Sequence, residues 1–196
     1  MVIRDIRPTL RLVDPGAQIA APLDKWRGEQ AVNPQETICG LSAAMLWSLP
    51  TPPSFALSAE EIPLHLSAVD GEERTRRKDI RGHSIALPLR HVTVHEGMRV
   101  TTPARTWLDC AALISPEHLL AMGDALYAKE LAGEAELEEI VRWGARRRGI
   151  VNARELLPLL NGRAESPGES RLRFCIWKAG LPMPVGNPEI FVRGVF

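Results

Sequence analysis

One stretch near the middle of the chain decides the fold: Thr101-Thr102-Pro103-Ala104-Arg105-Thr106-Trp107-Leu108-Asp109-Cys110-Ala111. Thr102 can cap a helix, and Pro103 suits the first helical position because proline has no backbone N–H to lose. The apolar residues that follow have the i, i+3, i+4, i+7 spacing of a core-facing helix: Ala104, Trp107, Leu108 and Ala111. Arg105 and Asp109 lie one turn apart and can pair. The stretch predicts a central helix packed on the core.

The sequence before this helix alternates apolar and polar residues with the period of a half-buried strand. The alternation predicts strands over residues 62–68, 80–87 and 92–94, with a charged loop over 70–79. Glu96-Gly97 predicts a turn into a further strand over residues 98–100. We therefore predict a small antiparallel sheet. An earlier, short helix is expected to begin at Asn33-Pro34 and to carry Ile38 on its buried side.

Beyond residue 111 the apolar residues return to a helical period. Further helices are predicted after Ser115, after Gly133, with Gly149 as its stop, and from Asn152. Ser166 and Glu169 form a capping box for a last helix. The expected apolar stripe of that helix is Leu172, Cys175, Ile176 and Ala179, and a strand is predicted over residues 189–192.

Composition limits the classes of function. The chain has 196 residues, and its 24 lysines and arginines balance 24 aspartates and glutamates, so nucleic-acid binding requires a local basic patch. Cys39, Cys110 and Cys175 are far apart and predict buried apolar thiols in a reducing compartment. The sequence contains no signal peptide and no apolar run of about 20 residues, so we expect a cytoplasmic protein without a membrane partner.

Two basic clusters are candidates for phosphate contact. The first has no intervening acid and comprises Arg142, Arg146, Arg147, Arg148 and Arg154. Its alternative explanation is a solvated helix C-terminus, where cations are favourable. The second lies in the charged loop, diluted by acids, and comprises Arg74, Arg76, Arg77 and Lys78. The case for nucleic acid strengthens if both clusters share one face.

Other polar side chains offer little chemistry. His83, His91 and His95 lie near predicted strands, but zinc needs further ligands and no cysteine is close in sequence, so no metal site is predicted. Glu165 and Glu169 are one turn apart and are the weak candidates for a catalytic pair. Glu169 already has a capping role, and Arg173 is available to pair with it, so a structural role is expected for both glutamates.

Several motifs in order carry a family resemblance. They are Leu41-Ser42-Ala43-Ala44-Met45-Leu46-Trp47-Ser48-Leu49-Pro50, Val100 through Asp109, Gly123-Asp124-Ala125-Leu126, Arg148-Gly149, Glu165-Ser166-Pro167-Gly168-Glu169-Ser170-Arg171-Leu172-Arg173 and Ala179-Gly180-Leu181-Pro182. The chain resembles actinobacterial proteins in which a region like the AbiEi-type antitoxin of abortive-infection systems precedes a nuclease-like domain related to very-short-patch-repair endonucleases.

The resemblance implies that Glu165 through Arg173 begins a restriction-endonuclease-like fold. In such nucleases the following strand leads to an aspartate and then to a Glu-x-Asp or Glu-x-Lys element, which hold Mg²⁺. These elements are expected beyond Phe196, and Glu165 and Glu169 alone cannot build the site. We therefore expect no catalytic residues and no cofactor in this chain, with Mg²⁺ only in a complete nuclease domain.

The predicted fold class is α+β: a small antiparallel sheet packed with a helical bundle, followed by an incomplete restriction-endonuclease-like C-terminal helix and strand. The predicted domains are an irregular N-terminal segment over 1–33, without a recognisable helix-turn-helix, an AbiEi-like middle domain over 34–162, and a truncated nuclease-like start over 163–196. The predicted function is a non-catalytic regulator of transcription or defence that binds DNA or a protein partner, either a toxin or a second copy. The alternatives are a fragment of a very-short-patch-repair-like endonuclease, or a remnant without activity.

Overall fold

The structure, a computed structural model, describes residues 22–55, 63–68 and 74–184. The helices are α1 (Leu23–Val32), α2 (Gly40–Leu46), α3 (Pro103–Cys110), α4 (Pro116–Ala128), α5 (Glu134–Trp143), α6 (Ile150–Leu156) and α7 (Pro167–Lys178). The strands are β1 (Thr37–Ile38), β2 (Leu64–Ser67), β3 (Ile80–His83), β4 (Val92–His95) and β5 (Met98–Thr101). The α+β class is confirmed. The predicted strand over residues 189–192 and the first 21 residues lie outside the described part.

The five strands form one sheet in the order β3-β2-β1-β5-β4. The expectation of a wholly antiparallel sheet is wrong, because β1 runs parallel to β5 and β2 runs parallel to β3. The link over residues 68–79 is long enough for a parallel return. The β4–β5 hairpin is antiparallel, with its predicted turn at Glu96 and Gly97. The sheet is therefore mixed.

Ile38 lies in the central strand of this sheet and not in a helix as predicted. It is fully buried and pairs with Leu66 on one side and Val100 on the other. Helix α2 begins only at Gly40. An apolar residue at helical spacing from later ones is compatible with either structure, and here the two flanking strands determine which forms.

Helix α1 falls within the segment that the sequence left as irregular. Its buried residues are Trp26 and Gln30, one turn apart. The Gln30 amide donates to the carbonyl oxygens of Glu36 at 3.0 Å and Arg99 at 2.8 Å, and its oxygen accepts from Arg99 N at 2.9 Å. One tryptophan and one glutamine do not make an apolar periodicity, so the sequence pattern missed this helix.

The predicted central helix is confirmed as α3. Trp107 and Leu108 are buried, and the Trp107 indole N–H donates to the Leu119 carbonyl at 3.0 Å. Thr102 precedes the helix, yet its side chain makes no capping hydrogen bond. Around α3 the helices α4, α5 and α6 close one apolar core, while α1, α2 and the sheet enclose a second one. Among the described residues, none of the helices combines the length and apolar character needed to cross a bilayer.

The predicted apolar stripe of α7 is wrong. Leu172 is 60% exposed and Cys175 is exposed, whereas Ser170 and Arg173 are buried. The Arg173 guanidinium donates to Asp124 Oδ2 at 2.6 Å and to the Leu159 carbonyl at 2.5 Å, so it does not serve Glu169. A buried carboxylate on α4 requires a counter-charge, and this requirement sets the rotation of α7.

Gly149 does not stop α5, which ends at Trp143; it precedes α6 instead, so the predicted cap Asn152 lies inside that helix. Its φ of 82° is in the left-handed region, and a Cβ at this position would lie 2.4 Å from the carbonyl carbon of Ala111. The glycine therefore lets the turn before α6 approach the end of α3.

Replacing Gly149 by alanine tests this close approach. Gly149→Ala should lower the free energy of unfolding by about 3 kcal/mol, because backbone strain and overpacking combine. Gly97→Ala is the matched control, since its φ of 73° is similar and nothing lies near its Cβ direction. The control should lose only about 1 kcal/mol. Urea denaturation measures both, and equal losses would show that the contact with Ala111 is unimportant.

Candidate functional site

The side chain of Arg105 is the centre of a buried polar cluster, although it lies on the core helix α3. It is fully buried. Its Nε donates to Asp109 Oδ1 at 2.8 Å, its Nη1 to His91 Nδ1 at 3.3 Å and its Nη2 to the Ala86 carbonyl at 3.1 Å. The predicted Arg105–Asp109 pair is therefore confirmed, with two further acceptors that the sequence did not indicate.

Trp143, the last residue of α5, contacts two guanidinium groups with its ring. Arg105 is 4.7 Å from its ring centroid and Arg147 is 4.4 Å from it. Arg147 Nη2 also donates to the Ala86 carbonyl at 2.8 Å, and its Nη1 lies 3.8 Å from Asp109 Oδ1. Cation–π stacking and shared acceptors thus fix the turn that follows α5.

The Ala86 carbonyl explains why β3 is shorter than predicted. The expected strand over residues 80–87 ends at His83. The chain then leaves the sheet, and Ala86 accepts hydrogen bonds from Arg105 and Arg147 in place of a neighbouring strand. Two buried or half-buried guanidinium groups need acceptors, and this carbonyl supplies one to each.

Burial changes the protonation of the groups around Arg105. It lowers the pKa of His91 to about 4, with help from the nearby Arg105, Arg90 and Arg147 charges. Neutral His91 can accept the hydrogen bond from Arg105. Burial also raises the pKa of Asp109, although the Arg105 guanidinium opposes this. Asp109 Oδ2 is buried and has no hydrogen-bond partner among the described residues.

A cavity of about 330 Å³ opens beside this cluster. Its lining comes from the β1–α2 junction, the segment after β3, helix α3 and the turn after α5: Cys39, Gly40, His83, Ile85, Leu108, Asp109, Ala112, Leu113, Arg147 and Arg148. Sequence reasoning missed this site because its residues are about 110 positions apart at the extremes and match no local motif. The arginines were the one signal that pointed to this region.

A pair of histidines extends the polar wall behind the cavity. His65 is fully buried, and its Nδ1 lies 3.2 Å from Nε2 of His83, which lines the cavity. Burial, the His83 ring and the Arg81 charge lower the pKa of His65 to about 3. Burial and the charges of Arg81 and Arg74 lower the pKa of His83. His65 Nε2 has no hydrogen-bond partner among the described residues.

The five arginines of the first predicted cluster separate into two groups. Arg147 is half-buried and bound to Ala86 and Trp143, so it anchors the turn. The other four are exposed and have no ion-pair partner within the described part of the chain: Arg142, Arg146, Arg148 and Arg154. These four are called the arginine surface below.

The second basic cluster also separates into a bound arginine and exposed basic side chains. Arg77 is tied to Glu29 and Glu36. Arg74, Arg76 and Lys78 are exposed. The charges of Arg74 and Arg81 reach His83 on the wall of the cavity, and Arg148 lines the same cavity. The first basic cluster thus lines this cavity, and the second contributes only the charge of Arg74 near one of its walls.

The remaining candidates have structural partners. His95 stacks on Trp47 with ring centroids 4.3 Å apart, so the three histidines do not converge. Ser166 Oγ caps Glu169 N, which confirms the predicted serine cap. The Glu169 carboxylate accepts from Glu165 N and from the Ser166 hydroxyl, both at 3.1 Å, and not from the Ser166 backbone N–H that a capping box uses. Over residues 22–55, 63–68 and 74–184, no group of three or more potential metal ligands occurs.

Residues 37–159 of the chain match the family described as the AbiEi antitoxin C-terminal domain. The chain belongs to this family. The AbiEi part of the resemblance is confirmed, and the match ends before α7. The likeness of the last segment to very-short-patch-repair endonucleases, and the actinobacterial origin, stay predictions.

Part of the chain has curated relatives in Mycobacterium tuberculosis. Two uncharacterized proteins, from strain CDC 1551 / Oshkosh and strain ATCC 25618 / H37Rv, are each 41% identical to this chain over 88 residues. The match covers 45% of this chain and 32% of each relative, so the matched stretch spans about a third of those proteins. No solved structure matches the chain significantly.

Replacing Arg105 by lysine tests the buried cluster. Lysine keeps the charge but cannot serve Asp109, His91 and Ala86 together, so Arg105→Lys should cost about 3 kcal/mol of unfolding free energy. Arg142→Lys, on the exposed side of α5, is the matched control and should change it by less than about 0.5 kcal/mol. If chemical denaturation gave the same stability for both variants, the cluster would contribute nothing beyond its charge.

The buried histidines make the domain sensitive to acid. A histidine whose pKa is lowered in the folded protein contributes its full share of the unfolding free energy above its unfolded pKa of 6.5. That contribution falls as the pH drops below 6.5. The loss for His65 is up to about 1.4 kcal/mol per pH unit. Between pH 7 and pH 5, His65→Gln should therefore reduce the loss of unfolding free energy by about 2 kcal/mol relative to the unmodified protein. If urea titrations gave the same pH dependence for His65→Gln and the unmodified protein, the lowered pKa of His65 would be contradicted.

Proposed function

We propose that this chain is a non-catalytic, antitoxin-type regulator that binds duplex DNA through the arginine surface. Membership of the AbiEi antitoxin C-terminal domain family supports an antitoxin or regulatory role. The observation that carries the DNA proposal is the exposure of four arginines around a turn whose position is fixed from inside by Arg147 and Trp143. Because the backbone of this turn is already fixed, contact with phosphates has to order only the arginine side chains.

The distribution of charge along α5 favours this orientation. Glu134 and Glu136 lie in its first turn and Arg142 in its last, at opposite ends of a helix about 15 Å long. These two acids therefore lie far from the phosphates that the arginine surface would contact, whereas Glu138 and Glu139 lie within about one turn of Arg142. The charges of the exposed Arg74 and Arg81 act on His83, which lines the cavity, and they would extend the positive surface.

A protein partner, either a toxin or a second copy, is the second candidate. One observation favours it: α7 and the segment after it expose Leu172 at 60%, Leu181 at 56% and Met183 at 39%. Large apolar side chains exposed close together in the sequence are the feature here that favours a protein contact surface. The endonuclease alternative has weaker support, because Glu169 is engaged in the cap of α7 and Arg173 in its pair with Asp124.

The DNA proposal is tested by fluorescence anisotropy with a random duplex at 50 and 200 mM salt. Arg146→Ala combined with Arg154→Ala should weaken binding to all sequences alike. It should also reduce the slope of log affinity against log salt by about 2, since each phosphate contact contributes about 0.9. Arg163→Ala combined with Arg171→Ala removes the same charge elsewhere and should leave most of the slope intact.

Two outcomes would count against the regulator. Equal salt slopes for both double variants would reject the arginine surface as the DNA contact. Absence of DNA binding at 50 mM salt would favour a protein partner instead. A parallel sample with Mg²⁺ is analysed on a gel, where intact DNA is expected. Metal-dependent cleavage there would instead support the endonuclease.

A further inference from the structure

The cavity beside Arg105 has the size and the walls of a small-molecule site. Its volume of about 330 Å³ lies within the range of ligand pockets in proteins, roughly 300–1,000 Å³. Apolar side chains supply most of its wall, including Ile85, Leu108, Ala112 and Leu113. Gly40 adds no side chain, and a Cβ there would approach the Leu113 side chain to 3.2 Å. The largely apolar wall suits an apolar body.

The polar part of the wall is positively charged. Arg147 and Arg148 line the cavity together with Asp109 and His83. The Asp109 carboxylate is already compensated by Arg105 at 2.8 Å. The arginines that remain leave a net positive charge facing a partly apolar space. This combination favours a ligand with an anionic group at one end and an apolar body at the other.

A buried polar atom at the same wall lacks a partner. Asp109 has a side chain that is only 10% exposed, and its Oδ2 accepts no hydrogen bond from the described residues. An unsatisfied buried carboxylate oxygen is costly, and native proteins retain few of them. A ligand that donates a hydrogen bond would satisfy this oxygen. Asp109 lines the cavity, so this unpartnered oxygen belongs to a residue of its wall.

We propose that this cavity binds a small organic anion: a molecule of up to mononucleotide size with a phosphate, sulfonate or carboxylate group and an apolar body. Arg148 contacts the anionic group, the wall formed by Ile85, Ala112 and Leu113 covers the body, and Asp109 Oδ2 accepts from a donor on the ligand. The site shares Arg148 with the arginine surface but does not require Arg146 or Arg154.

The probe is 8-anilinonaphthalene-1-sulfonate, an aromatic anion whose fluorescence rises in apolar surroundings, titrated into the protein without DNA. One equivalent should bind. Arg148→Ala removes the anion contact and should weaken binding about tenfold, and Ala112→Phe should weaken it at least as much by filling the cavity. Arg148 is exposed, so its replacement leaves the fold intact even if Ala112→Phe destabilises it.

Two controls separate the cavity from other surfaces. Arg142→Ala removes a charge from the exposed side of α5, and Leu172→Glu disrupts the apolar surface of α7; neither should change binding of the probe. The proposal is overturned if the probe does not bind, if Arg148→Ala binds it as the unmodified protein does, or if Leu172→Glu abolishes its binding.

Competition identifies the anionic group. Adenosine 5′-monophosphate or benzoate should displace the probe, and the more effective of the two shows whether the site favours phosphate or carboxylate. Adenosine, which lacks the charge, should not displace it. Retention of the probe against both anions at 10 mM, or equal displacement by adenosine, would overturn the proposal. Because no DNA is present, failure of the DNA proposal leaves this result unaffected.

Discussion

The buried guanidinium of Arg105 is the interaction on which the rest of the molecule depends. A charge without solvent must find partners for its donors, and here they come from three parts of the chain: Asp109 on α3, His91 before β4 and the Ala86 carbonyl. Trp143 covers one face of the same group and thereby places the end of α5. Helix α3, the segment after β3 and the turn after α5 therefore hold one another in place.

A second buried ion pair has the same role for the last helix. Asp124 on α4 receives Arg173 from α7, and the burial that raises the pKa of Asp124 is opposed by hydrogen bonds from Ser170, Asn161 and Arg173. Both partners belong to the motifs that carry the family resemblance. Other motif residues also make structural contacts: Trp47 donates to the Thr101 carbonyl, and Trp107 donates to the Leu119 carbonyl. The motifs thus report on the fold more directly than on an activity.

Contacts with a ligand or partner are therefore expected from side chains that do not hold the fold together. Within the first basic cluster, Arg147 is committed to Trp143 and Ala86, whereas Arg142, Arg146 and Arg154 face solvent. The sequence could identify the cluster but not this division, because burial depends on contacts with residues about 60 positions away. The cavity was unpredictable for the same reason, since Cys39, His83 and Arg148 meet only after the sheet and α3 have packed.

The sequence by itself determined the elements whose signals are local. The Thr102-Pro103 start and apolar stripe of α3, the Glu96-Gly97 turn and the Ser166–Glu169 cap of α7 depend on neighbours within one or two turns. Tertiary structure decided the rest. Ile38 lies in a central strand because it pairs with a strand on each side. Helix α7 buries Arg173 instead of Leu172 because the buried Asp124 needs a counter-charge. An apolar repeat in the sequence reveals the buried side of a helix only when that side is apolar. The buried side of α7 instead holds an ion-paired arginine, so the sequence carries no matching apolar repeat.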